Sequence, residues 1–329
     1  MKFKIERIDE SKTERVSEAK LDEMIHDYRK ALDDLCIGAM TDNEIIEYVK
    51  AVMAEGRGCR RQPQYRFWGF AEPETMPGDI RVYYYYTPTY IITAFLMKAF
   101  MVLGDKADSI DGFADCLKRA LGGSTGRGFQ NDWSPFGGGP DYSMALEPFC
   151  RADAGDFVRK YPDFCPEFTK LFNETVGKYK LPQGKMPVFV YGTLLSGQSN
   201  HDSYLGDAEF LGEAEIAGYY LYDMGSYPAL KNHKSARSNN SSSGSGSDYA
   251  NTVPDTIKGE LYMADNETIK RLDRLEGEGS LYKRDYLTVW YGDSQEIEAI
   301  IYMFLSEPDD SLLMTSDNYN GIRWNGKIH

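Results

Sequence analysis

The apolar pattern of the chain changes character once, at Leu181-Pro-Gln-Gly-Lys-Met-Pro187. Before it, apolar residues recur at helical spacing: Val16, Ala19, Leu21, Met24, Ile25, Tyr28, Leu32 and Leu35, then Ile45, Ile46, Val49, Val52 and Met53 after the capping-box start Thr41-Asp-Asn-Glu. Further helices are predicted from Thr87 (N-cap) and Pro88 (first helical position) to about Leu103, over Ser109–Leu121, over Ala154–Tyr161 and over Pro166–Tyr179. Residues 59–80 read as loop with one short strand, and the tyrosine run Tyr83–Tyr86 as strand or pre-helix packing. After the break, short runs bounded by turn residues predict strands at Val188–Tyr191, Ala208–Ala217, Tyr219–Tyr222, Ile257–Met263, Tyr282–Tyr291 and Ile297–Phe304. One helix interrupts them, capped by Asp265 or Asn266, with Ile269, Leu272 and Leu275 facing inward and Gly277 ending it. The expectation is two domains: a mostly α domain over 1–180, a linker over 181–187 and an α+β domain over 188–329.

With 42% apolar residues in 329, the chain has material for two cores. Its net charge of −14 argues against nucleic acid or an anionic membrane surface as partner, since both need a basic patch. The apolar run Tyr90–Leu103 carries Lys98 and reads as too short and too charged to span a bilayer. The first residues, Met1-Lys-Phe-Lys-Ile-Glu-Arg, hold no apolar signal segment. Cys36, Cys59, Cys116, Cys150 and Cys165 are odd in number, widely spaced and contain no Cys-x-x-Cys. Neither a disulfide framework nor a metal site is predicted, and a cytoplasmic location is expected.

Two stretches outside regular structure read as loops. The Gly-rich passage 122–142 does not fit the phosphate-binding G-x-x-x-x-G-K-[ST] pattern, so plain turns are favoured. The Ser/Gly-rich segment near 234–252 cannot bury enough apolar surface to order itself and is expected to be a mobile loop, either a lid or a tolerated insertion.

The stretch carrying chemistry is Val188-Phe-Val-Tyr-Gly-Thr-Leu-Leu195. A buried strand runs into Tyr191-Gly192-Thr193-Leu194, where Gly192 lets the backbone turn and approach a ligand closely. Successive N–H groups leaving such a turn can converge on an anion.

Four further blocks follow in order: Gly197 with Asn200-His201; Gly218-Tyr-Tyr-Leu-Tyr-Asp-Met-Gly-Ser-Tyr-Pro-Ala229; Ile257-Lys-Gly-Glu-Leu-Tyr262; and Arg271-Leu-Asp-Arg-Leu-Glu-Gly277 with Tyr282-Lys-Arg284. Taken together, residues 186–305 resemble the gamma-glutamylcyclotransferase-like family; residues 1–180 lie outside the resemblance. The resemblance implies a small, mixed β-barrel with a helix. It implies an enzyme that cyclises a γ-glutamyl amine or peptide to 5-oxoproline and releases the amine, without metal or cofactor. By position it implies that Tyr191, Gly192, Thr193 and Leu194 bind the substrate carboxylate through backbone N–H groups and that Glu276 is the general acid/base.

The chemistry needs such a carboxylate. The attacking α-ammonium must lose a proton and the leaving amine must gain one; one carboxyl raised by burial toward neutral pH can do both. Tyr227 and Pro228 are expected in the pocket wall, and Tyr282 either holds substrate or Glu276 by its hydroxyl or simply packs. Glu278 is a lesser competitor beyond Gly277, Asp273 reads as a solvated helix residue, His201 as a loop-shaping one and His233 as solvated. Arg60, Arg61 and Arg66 read as a solvated face. The alternative is a non-catalytic small-molecule binding module fused to a helical interaction domain; a third reading is hydrolysis of a related amide. The leaving amine, the role of residues 1–180 and the oligomeric state are not readable from the sequence.

Overall fold

The computed structural model describes residues 18–59, 62–68, 78–125, 143–179, 183–232, 256–292, 295–315 and 321–326. The chain divides into two compact units, Met1–Gly184 and Lys185–His329.

The first unit is a helical cluster with one hairpin. Helix α1 (Glu18–Cys36) is followed by α2 (Asp42–Glu55), the hairpin of β1 (Arg57–Cys59) and β2 (Gln62–Phe67), and the long α3 (Gly78–Leu103). A 3₁₀ turn, α4 (Phe113–Ser124), α5 (Ser143–Arg151), α6 (Ala154–Lys160) and α7 (Pro166–Tyr179) complete it. The predicted capping box at α2 is present: the Thr41 hydroxyl accepts from the Glu44 N–H, and the Glu44 carboxylate accepts from the Thr41 N–H at 2.8 Å.

Helix α3 is buried on every side from Thr87 through Ala99 apart from Lys98, the mark of a core helix. Phe113, Phe157 and Phe164 pack edge-on or tilted against Phe100 of this helix. The buried Arg151 guanidinium bridges Asp33 at 2.9 Å and Glu147 at 2.8 Å, tying α5 to α1.

Several expectations for this unit are revised. Helix α3 does not begin at a Thr87 cap; it runs from Gly78 through the tyrosine run, with Pro88 inside it. Nothing in Arg81–Tyr86 breaks a helix, and a proline removes one hydrogen bond without ending a helix whose following turns are buried. The apolar segment is therefore longer than its sequence suggested. Thr87–Ser109 has the length and hydropathy to cross a membrane, and 72% of its most apolar window is buried inside the unit. Arg57–Cys59 and Gln62–Phe67 form two strands where one was expected. Helix α5, with Pro148 inside it, was not predicted, and α4 extends through Gly122 and Gly123. Arg66 is not merely solvated: it donates to the Gly56 carbonyl at 2.7 Å. Arg60, Arg61, most of the Gly-rich passage, the Ser/Gly-rich segment and His233 lie outside the described residues.

The second unit is built from β3 (Lys185–Val190), a one-turn α8 (His201–Tyr204), β4 (Glu209–Ile216), the hairpin β5 (Tyr219–Asp223)–β6 (Pro228–Asn232), β7 (Ile257–Asp265), α9 (Asn266–Glu276), β8 (Tyr282–Tyr291) and β9 (Gln295–Phe304). The last three residues of the expected linker thus belong to β3, because the strand is buried from Met186 through Val190 and its pairing with β7 runs back to Lys185 opposite Asp265. Five strands close a barrel in the order β3-β7-β4-β8-β9, sealed by a parallel pairing of β3 with β9 at Val188 and Ile300. All other barrel pairings are antiparallel. Phe189, Ile216, Ile257, Leu261, Val289 and Ile301 fill the interior at no more than 1% exposure. The β5–β6 hairpin, whose second strand the sequence did not suggest, stands apart from the barrel sheet and brings Tyr227 and Pro228 to the open end of β3.

Candidate active site

At that end a cavity of about 180 Å³ is lined by every site residue expected from the sequence: Tyr191, Gly192, Thr193, Leu194, Tyr227, Glu276 and Tyr282. Phe189, Val190, Pro228, Leu275 and Leu281 add apolar wall; Asn200 and Tyr302 complete it. Pockets for drug-sized ligands run roughly 300–1,000 Å³, so this one fits a group about the size of a single amino acid.

One wall is the turn after β3. Gly192 is needed here because of close approach, not left-handed backbone: a Cβ on it would lie 2.6 Å from Cγ of Pro228. The Leu195 N–H closes the turn onto the Gly192 carbonyl at 3.0 Å. Asn200 clips it from the far side, its N–H donating to the Thr193 carbonyl at 3.0 Å and its side-chain amide to the Thr193 hydroxyl at 3.1 Å. Among the described residues no acceptor engages the N–H groups of Gly192, Thr193 or Leu194. Three donors with no internal partner at the rim of a cavity suit an anion.

Behind the turn lies a polar cluster that sequence reasoning missed. Glu260, 4% exposed, accepts from the Ser196 N–H at 2.7 Å and from the Tyr262 hydroxyl at 2.9 Å, and pairs with Arg323. His201 Nε2 meets the same Tyr262 hydroxyl at 3.0 Å. Burial works to raise the Glu260 carboxyl, but these hydrogen bonds outweigh it and hold it below the usual carboxylate range.

The opposite wall is the end of α9. Asp265 caps its start, accepting from the Thr268 N–H at 2.8 Å. Gly277, at φ 61°, ends it in the left-handed conformation that closes helices, with the Glu278 N–H donating to the Asp273 carbonyl at 2.9 Å. Glu276 is thereby fixed as the last helical residue, half-buried at the cavity. Among the described residues nothing hydrogen-bonds or ion-pairs with its carboxylate. Burial alone pushes it up from 4.5 to about 7. The unit therefore contains two carboxylates driven in opposite directions: Glu260 saturated with donors and ionised, Glu276 without them and close to half-protonated at neutral pH. Such divergence in carboxylate environments is the pattern that acid/base sites show.

The remaining walls are phenols. The Tyr282 hydroxyl donates to the Pro228 carbonyl at 2.7 Å and its ring packs edge-on to Tyr227 and Phe304, so the hydroxyl braces the wall and does not reach for Glu276. Tyr191 donates to the Tyr302 carbonyl at 2.5 Å. Burial raises both phenols far above their ordinary range, with the nearby Glu276 adding to it, so they stay neutral. Asp273 is not the solvated residue its sequence suggested. It pairs with Arg284 of β8, which is fully buried, and accepts from the Tyr302 hydroxyl at 2.7 Å. Glu278 does not line the cavity.

Residues 188–321 match the profile of the family described as gamma-glutamyl cyclotransferase, AIG2-like. A protein of Methanocaldococcus jannaschii, provisionally named a gamma-glutamylcyclotransferase, is 30% identical over 41% of this chain and 97% of its own length. A Vibrio cholerae protein with the same provisional name is 36% identical over 32% of this chain and 74% of its own length. Among solved structures, an uncharacterized protein from Pyrococcus horikoshii is 27% identical over 41% of this chain and 90% of its own, with a TM-score of 0.28.

Proposed function

The chain belongs, through residues 188–321, to the gamma-glutamyl cyclotransferase, AIG2-like family, and from that premise we propose that it cyclises a γ-glutamyl amine or peptide to 5-oxoproline. The substrate's α-carboxylate lies against the N–H groups of Gly192, Thr193 and Leu194. Glu276 accepts a proton from the α-ammonium group. The freed amine attacks the γ-carbonyl carbon, a carbon–nitrogen bond forms, and a five-membered ring closes. The bond to the leaving amine then breaks as Glu276 returns the proton to its nitrogen, and the ring nitrogen gives its second proton to the freed carboxylate, from which the departing amine takes it. One group serves both steps because a carboxyl near pH 7 is neither too weak a base for the first nor too weak an acid for the second. Holding the chain folded for attack supplies much of the rate, since ring closure is intramolecular. Tyr191, Tyr227 and Tyr282 shape the wall around the glutamyl chain, and a 180 Å³ cavity has room for that chain and leaves the amine at the mouth.

The observation that carries the proposal is Glu276: a carboxyl raised to about 7, without a charge partner among the described residues, in the same cavity as the turn that can hold an anion. The test is release of 5-oxoproline from a panel of γ-glutamyl amines and peptides by the wild type and by Glu276→Gln. Product from the wild type alone is expected. Free glutamate in place of 5-oxoproline would mean hydrolysis, equal turnover by both proteins would remove Glu276 from its role, and binding without turnover in either would leave a binding module.

A further inference from the structure

A cavity filled by the glutamyl chain leaves the departing amine at its mouth, and the mouth is marked by the wall residues that solvent reaches. These are Thr193, Asn200, Tyr227, Leu275, Glu276 and Leu281; the rest of the wall is buried. The rim has two edges. Thr193 and Asn200 belong to the turn, are hydrogen-bonded to each other, and make the edge on the side of the substrate's α-carboxylate polar. The edge that carries Glu276 is apolar. Leu275 precedes Glu276 at the end of α9. The loop beyond folds back on the helix end: the Leu281 N–H donates to the Gly277 carbonyl at 3.0 Å, and Cβ of Leu281 stands 3.5 Å from the place a Cβ on Gly277 would take. Leu281 is 38% exposed. Tyr282, next in the chain, packs edge-on against Tyr227.

Glu276 must reach the departing nitrogen to protonate it, so the first carbons on that nitrogen lie over this apolar edge. A leaving amino acid or peptide would bring a carboxylate there, two bonds from the nitrogen and beside Glu276. Among the described residues no lysine, arginine or histidine lines the cavity to meet it. Arg284 is fully buried and paired with Asp273. Lys231 is buried too, and its ammonium is held by Glu307 at 3.0 Å and by the carbonyls of Phe304 and Leu305 at 3.3 and 3.5 Å. An unpaired carboxylate beside another is disfavoured, whereas an alkyl chain gains by leaving water for Leu275, Leu281 and Tyr227.

We infer that the leaving group is an amine whose carbon chain is apolar and carries no charge, an alkyl or arylalkyl amine and not an amino acid or peptide, and that Leu281 is the rim residue that selects it. The inference rests on the proposed cyclisation and names its substrate class.

The experiment uses three substrates that differ in the leaving group alone: γ-glutamyl methylamide, γ-glutamyl pentylamide and γ-glutamylnorleucine, which is the pentylamide with a carboxylate added. The first readout is kcat/KM for 5-oxoproline release by the wild type and by Leu281→Arg. A fully covered methylene is worth about fourfold, so roughly twofold against a one-sided rim, and the four extra methylenes of the pentylamide should favour it over the methylamide by about tenfold. The wild type should prefer the pentylamide to γ-glutamylnorleucine by at least about tenfold, and Leu281→Arg, which sets a cation at the rim, should cut that preference by about tenfold or reverse it. Equal use of methylamide and pentylamide, or a wild type that prefers γ-glutamylnorleucine, overturns the inference. An unchanged preference in folded Leu281→Arg removes Leu281 from its role; if that variant does not fold, the wild-type series decides. The second readout is the Kd of methylamide and pentylamide for Glu276→Gln by calorimetry, which needs no turnover. Tighter pentylamide binding there supports the inference even if the wild type releases no 5-oxoproline, a result that would refute the proposed reaction alone; equal Kd values overturn the inference.

Discussion

Replacing Glu276 with Gln should make the barrel more stable at alkaline pH while it stops the chemistry. In the folded protein burial raises the carboxyl from its ordinary 4.5 to about 7. Below the ordinary value both states hold the proton and the group contributes nothing. Between the two values the unfolded chain has lost its proton and the folded chain keeps it. Stability therefore falls as pH rises, by about 1.4 kcal/mol per pH unit. Above about 7 the fall levels off, and the buried charge then destabilises the fold by on the order of 3 kcal/mol. Gln has the shape of the protonated acid and does not ionise, so the variant escapes this loss. Because the chain has two compact units, a single global unfolding energy is poorly defined. The readout is amide hydrogen exchange of β3, β7, β8 and β9, corrected for intrinsic rates, at about pH 5 and about pH 8.5. The variant's gain should be small at the acid end and approach about 3 kcal/mol at the alkaline end. A gain that is the same at both ends, or larger in acid, would refute the reasoning, because it would mean that Glu276 ionises as freely in the fold as in water.

Activity should follow the same group: kcat/KM is expected to rise with pH through a midpoint near 7, where the free enzyme's Glu276 becomes able to accept a proton, and a midpoint near 4.5 would show that burial does not act on it. Gly192→Ala places a methyl 2.6 Å from the Pro228 ring, so overpacking should destabilise the unit by roughly 1–3 kcal/mol, and 5-oxoproline release should drop at least about tenfold as the turn is displaced. Glu260→Gln takes a charge-assisted acceptor from the Ser196 N–H and from Arg323; a loss of roughly 1–3 kcal/mol in denaturant titration and a raised KM with little change in kcat are expected, since the turn is loosened and the proton carrier is untouched.

The site was legible because it sits where the sequence carries its most constrained residues. Gly277 is fixed by local geometry, at a helix end, and marks the carboxylate in the sequence itself; Gly192 marks the turn, though the ring that demands it, Pro228, comes from another strand. What sits between them is held by partners far away in the chain. Asp273 looked solvated because the residue that buries it, Arg284, arrives from the next strand. Tyr302 gave no signal, since a tyrosine in an apolar run reads as packing until its hydroxyl is seen on Asp273. Glu260 lay within a recognised block, yet its role depends on Ser196 and Arg323, 64 residues before it and 63 after it. In the helical unit two of the errors came from proline. Pro88 and Pro148 both lie inside helices, against their usual placement, and the described residues that follow each of them are buried, packing that outweighs one lost hydrogen bond.

The pairing of β3 with β9 fixes when the site can exist. The turn that would hold an anion follows the barrel's first strand, and Tyr302 stands in its last. A ribosome delivers the one more than a hundred residues before the other, at roughly 5–20 residues per second. Until β9 emerges, β3 lacks its parallel neighbour, the barrel has two open edges, and the far wall of the cavity is missing. Closing a contact of such long range is slow compared with forming α9 or the β8–β9 hairpin. Barrel closure and completion of the cavity are therefore one event, late in the life of the nascent chain, and no shorter product of synthesis has a partly working site.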